Sequence, residues 1–146
     1  MQKLWPYLSF KGRTNRQAYW VTSVLVYLGF LAVSLATMGI PFLLLAFGLP
    51  ALIVGLWVGL AVAVRRLHDR NRSGWWLLAM YLPIALLSFL RGAASVSSPD
   101  AGAFFGLLTL PFSIWAFVWL ACLKGTTGPN RFGDDPLNPT PAEVFS

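Results

Sequence analysis

Positions 17 to 64 form 48 consecutive residues without one Asp, Glu, Lys or Arg. Roughly 20 apolar residues already span the hydrocarbon of a bilayer. As a single helix the run would be about 72 Å long, so it is read as two crossings. Composition agrees: of 146 residues 57% are hydrophobic and 11% charged, and mean hydropathy is +0.66. A soluble domain carries about 25% charged residues. Too few charges remain to coat a water-soluble globule, which excludes a soluble mixed-sheet enzyme. The single Cys122 has no partner in the chain, which excludes a disulfide scaffold.

The expected fold is an all-α integral membrane protein with four transmembrane helices. The spans are placed at about 19–38, 41–64, 73–90 and 102–123, within one membrane domain covering 1–136. Residues 137–146 read as a loose C-terminal tail. The apolar stretch beginning near Tyr19 is far longer than the ~7–15 residue core of a signal peptide, so the first span is expected to stay as an anchor. Gly39, Ile40 and Pro41 supply a turn, and Arg65 and Arg66 stop the second span. The third is short, with Arg91 expected to snorkel outward.

Of the eleven Lys and Arg, all but Arg91 fall on one side of this arrangement. That side is expected to be cytoplasmic. Two antiparallel hairpins with both termini inside follow, in a multi-pass protein of a plasma membrane. Nucleic acid is not expected as a partner, because the basic residues border apolar stretches instead of forming a solvated face.

Small residues at Gly55, Gly59 and Ala63, and at Ala32 and Ala36, are spaced to let helix backbones approach closely. Pro50, Pro83 and Pro111 lie inside spans, as hinges of a transporter or as the prolines ordinary in membrane helices. The spans as placed hold no ionisable residue, which argues against a proton-coupled pump. No pattern points to a metal, a cofactor or a catalytic constellation.

What chemistry there is lies in three segments expected on one membrane surface: FKGRTNRQAYW at 10–20, RRLHDRNRSGWW at 65–76 and KGTTGPNRFGDDP at 124–136. In the first stand Gly12, Arg13, Arg16, Tyr19 and Trp20. The second runs from Arg65 through Asp69 and on to Ser73, Gly74, Trp75 and Trp76. The third carries Gly125, Gly128, Asn130, Arg131, Phe132, Gly133, Asp135 and Pro136. With these three motifs in this order, the chain resembles the bacterial inner-membrane family called domain of unknown function 805, over nearly its whole length. Arg70 makes the loop more cationic than the family pattern. The resemblance implies a fold and an inner-membrane location, and no activity.

Read physically, Asp69 can pair with Arg65, Arg66 or Arg72 where the chain reverses. His68 and Asp69 are either an acid–base pair or part of a structural charge network. Ser73 suits a helix start, and Trp75 and Trp76 suit the interface. A helix N-terminus near Arg13, Arg16, Arg65, Arg66, His68, Arg72, Ser73 and Gly74 is a candidate site for a phosphate or an anionic lipid headgroup. Trp20, Asp69, Trp75, Trp76 and the NRFGDDP turn read as structural, with Asp134 and Asp135 offered to the basic loop as a latch. The leading expectation is a non-enzymatic membrane protein that binds anionic lipid or a phosphorylated ligand. Its rivals are a transport or channel component, an accessory subunit or homo-oligomer, and a surface enzyme using His68 and Asp69.

Overall fold

The computed structural model describes residues 8–38 and 40–138. Lys3, Gly39 and most of the expected loose tail lie outside the described residues. The chain is all-helical, with four helices long and apolar enough to cross a membrane. Helix α1 is Arg16–Ala36, capped by Asn15, whose side chain accepts from the Ala18 amide. Pro41–Leu43 and a π turn at Leu44–Gly48 lead into α2, Leu49–Asp69, with Pro50 in its first turn. Because the helix continues directly from the π turn, Pro50 interrupts one backbone hydrogen bond where the two meet. Helix α3 is Trp76–Ser97, and α4 is Pro99–Phe117, continuing as a π turn through Val118–Cys122.

Three boundaries differ from the sequence reading. Helix α2 runs past Val64 to Asp69, carrying both arginines into the helix. Helix α3 starts at Trp76, not near residue 73, and extends to Ser97. The loop expected over 91–101 shrinks to Ser98, which caps α4 through the Ala101 amide with Pro99 following at the first helical position. Arg91 therefore lies within α3, its stem 3.6 Å from where a Cβ at Gly106 of α4 would sit. The Arg91 side chain thus runs along α4 at van der Waals distance from that position.

Helix α1 packs along α2, and α3 packs closely along α4. The two pairs join mainly at one end, which carries residues 8–16, the 70–75 connection and the 123–138 segment, and which we call the basic end. Ala63, Leu67, Leu77, Met80, Ala116 and Leu120 form the buried core there. Trp76, Trp115 and Trp119 pack beside it, with ring centroids 5.7–6.5 Å apart. Towards the opposite end most large apolar side chains are exposed, as a bilayer solvent requires.

Candidate functional site

The extension of α2 to Asp69 puts Arg66 and Asp69 three residues apart, on one helical face. Arg66 is 0% exposed and Asp69 3%. An Arg66 NH1 donates to Asp69 Oδ2 at 2.5 Å, while Arg13 Nε donates to Oδ1 at 3.1 Å. The Arg65 Nε instead turns back to the Ala61 carbonyl at 3.4 Å. Arg72 lies over the Trp76 ring, 5.3 Å from its centroid. Of the three partners the sequence offers Asp69, the fold thus gives it Arg66, and adds Arg13 from 56 residues away.

The other N–H groups of these two arginines reach backbone carbonyls. Arg13 donates to Gly128 O at 2.6 Å and to Thr126 O at 2.5 Å. Arg66 donates from Nε to Leu120 O at 2.9 Å and from NH2 to Leu123 O. The last carbonyls of a helix lack internal partners and carry partial negative charge. At the end of α4 five consecutive ones are met from outside. Besides Leu120 and Leu123, the Trp119 carbonyl accepts from Arg70 at 3.3 Å, Ala121 from Trp20 Nε1 at 3.2 Å, and Cys122 from Arg16 at 3.1 Å.

The third segment closes over this knot. The Thr126 amide and hydroxyl both donate to Asp69 O, at 2.8 and 3.0 Å. Asn130 Nδ2 donates to His68 O at 3.0 Å, and Arg131 to Asn71 O at 3.3 Å. The Phe132 ring stacks on His68 with centroids 3.9 Å apart, while His68 Nδ1 sits 3.2 Å from Gly12 O. Gly133, at φ 132°, lets the turn reverse so that Asn130 and Gly133 exchange backbone hydrogen bonds. Asp135 does not reach across to the loop arginines as the latch reading had it. It accepts the Leu137 and Gly128 amides, each at 3.0 Å. Those two N–H donors, Leu137 first, hold its carboxyl below the usual range.

At the start of α3, Ser73 Oγ accepts from the Trp75 amide at 3.5 Å, outside the helix proper. Gly74 is packed so that a Cβ would lie 3.1 Å from Val64 Cγ1. Arg66 is turned to carbonyls at the end of α4 and Arg13 to those of Thr126 and Gly128, so neither guanidinium is turned to the helix start at Trp76.

A family model described as protein of unknown function (DUF805) matches residues 7–134. The chain belongs to this family. It is 30% identical over 135 residues to "Inner membrane protein YhaI" of Escherichia coli (strain K12), covering 89% of this chain and 87% of the relative. "Uncharacterized protein YiiR" of the same strain is 36% identical over 132 residues, covering 87% and 85%. "Inner membrane protein YhaH" is 32% identical over 140 residues, covering 89% and 88%. No solved structure matches. In this DUF805 chain the three motifs are parts of one interlocked structure at the basic end.

Beside the knot opens a cavity of about 290 Å³, lined among others by Asn15, Arg16, Lys124, Thr126 and Thr127, with Arg66 and Asp69 on its wall. Arg16 and Lys124 are exposed. The candidate arginines thus differ: Arg13, Arg65 and Arg66 turn inward to protein acceptors, and the exposed Arg16 donates to the Cys122 carbonyl and also lines the open space. The sequence reading missed Lys124 as a lining residue, although its place directly after the last apolar span marks it as interfacial. It also missed the π turn of α4 as an acceptor, and VWLAC carries no signal that would have revealed it.

Proposed function

We propose that this DUF805 protein crosses the inner membrane as two antiparallel hairpins with both termini in the cytoplasm. In this reading it is not an enzyme, and its basic end binds the phosphate of an anionic lipid headgroup. The observation that carries the reading is the 290 Å³ cavity at the helix border, where Arg16 and Lys124 stand beside hydroxyl and amide groups. Two carboxylates also line it, and both are already met by donors: Asp69 is ion-paired with Arg13 and Arg66, and Asp135 accepts the Leu137 and Gly128 amides. Nine of the ten Lys and Arg among the described residues gather at this end, which supports a cytoplasmic placement. Relatives named as inner membrane proteins support the location. His68, stacked on Phe132, and Asp69, held by two arginines, have the surroundings of structural groups.

The test is native mass spectrometry of the protein in mild detergent with phosphatidylglycerol, beside an Arg16→Gln, Lys124→Gln variant. Each interfacial cation contributes about 1 kcal/mol to anionic-lipid attraction, so the pair should lower lipid retention roughly 30-fold. Equal retention would sink the reading. Displacement of the lipid by glycerol phosphate would assign the site to soluble phosphate esters instead.

A further inference from the structure

A second cavity, of about 360 Å³, lies within the spans between α1, α2 and α3, and the proposal above does not use it. Tyr19, Thr22 and Ser23 line it from α1, Gly55 and Gly59 from α2, and Tyr81 from α3. The α1 residues recur at helical spacing, so they form one face. At about 100° per residue, the middle of that face lies about 70° round the helix from Arg16 and about 110° from Trp20.

The glycines do not act here as the close-contact surface their spacing suggests. A Cβ at Gly59 would meet nothing within 4 Å, and one at Gly55 only Val26 Cγ1 at 3.4 Å. They leave a trough. Above it, Thr22 is 9% exposed, and its hydroxyl has no hydrogen-bond partner among the described residues. Ser34 and Ser88 share that state, whereas four other hydroxyls back-bond to the helix. Thr37, Ser95, Thr109 and Ser113 each donate to the carbonyl four residues back, at 2.8, 2.7, 2.9 and 3.0 Å. A hydroxyl left without a partner in hydrocarbon is costly.

Polarity along the cavity is graded. From the start of α1 at Arg16, Tyr19 lies about 4.5 Å deep, Thr22 about 9 Å and Val26 about 15 Å. Tyr81 lies about 7.5 Å below the start of α3. Hydroxyls therefore line the border end, while Gly59, Gly55 and Val26 line the deeper, apolar end. No charged side chain lines the cavity. Its volume would hold about a dozen waters, but the deeper walls offer water no hydrogen bonds. A glycerolipid has the same order: ester carbonyls just beneath the headgroup, then hydrocarbon.

We propose that this cavity binds one acyl chain of a glycerolipid from the leaflet at the basic end. The hydroxyls of Thr22 and Tyr81 donate to its ester carbonyls, and the chain fills the Gly55–Gly59 trough.

The experiment is native mass spectrometry after detergent delipidation, with fragmentation of whatever remains bound, on wild type, Gly59→Leu, Thr22→Val and the Arg16→Gln, Lys124→Gln variant. Wild type should retain one diacyl lipid. Gly59→Leu, which fills open space, should lower that retention at least tenfold with an unchanged melting temperature. Thr22→Val keeps the shape without the hydroxyl and should lower it severalfold. It tests the proposal even if the leucine variant misfolds. The arginine–lysine variant should keep this lipid, so failure of the headgroup reading and of this one are distinguishable. Equal retention in Gly59→Leu and Thr22→Val would overturn the proposal. So would a retained molecule without acyl esters, such as a quinone, or a dimer that Gly59→Leu dissolves.

Discussion

Asp69 sits where α2 leaves the apolar zone, and a carboxylate there is tolerable only if charge and hydrogen bonds surround it. Both its oxygens meet buried guanidiniums, and its backbone carbonyl takes the two donors of Thr126. Gly125 belongs to the same economy of space: a Cβ there would overlap the Asp69 carboxylate. Asp135 is the other carboxylate that matters, and its role is local. Its carboxyl is held below the ordinary value by the Leu137 and Gly128 amides, so its contribution to the tail turn is full above the unfolded pKa of about 3.8. That contribution is lost as pH falls through the lower, folded value. NMR in micelles should show the protection of the Leu137 and Gly128 amides falling below about pH 3.8 in wild type, and no such step in Asp135→Asn. A pH-independent protection in wild type would contradict this.

At the scale of elements, the end of α4 decides most. Side chains from α1, α2 and the connecting segment donate to four carbonyls of its π turn and to that of Leu123 just after it. Arg66 alone joins the end of α2 to two of these carbonyls and to Asp69. Replacing it with Met keeps bulk and removes every donor, leaving Asp69 with one guanidinium fewer. Breaking a buried pair in this way costs about 3–5 kcal/mol, which a denaturant titration in detergent should show as a large drop in unfolding free energy. A change within the error of the titration would mean that Arg66 is not a structural clamp. Local chemistry marks two boundaries that the sequence reading did not use: Asn15 as a cap, and Ser98 with Pro99 as a cap and first-turn pair. Boundaries were misread where a charge was taken as a border. Arg91 looked like the end of a span, but it lies inside α3 with its side chain against Gly106 of the neighbouring helix.

For the whole molecule, burial is concentrated at the basic end, and the two helix pairs share little contact beyond it. Their relative position at the other end therefore rests on bilayer pressure and on whatever fills the gap between them. Spin labels at Leu49 and Val96, both exposed and each about 30 Å along its helix from the basic end, should give a broad distance distribution. Labels at Gln17 and Trp75, at the basic end, should give a narrow one. Equally narrow distributions would show a bundle locked along its length.

Membrane insertion depends on the summed transfer free energy of contiguous apolar residues, so the four spans and the gathering of cations at one end were determined by the chain read in order. The three motifs were also visible as residues. What they do to one another was not. Apart from the Arg66–Asp69 pair, which the spacing already offered, the partners of Arg13 and Arg66 lie more than 50 residues away, and most are backbone carbonyls, which every residue has and no residue type advertises. Only the tertiary structure decided which arginines are spent holding the fold and which still face open space. Likewise, only the placement of α3 against α1 and α2 turned a stripe of glycines into a cavity.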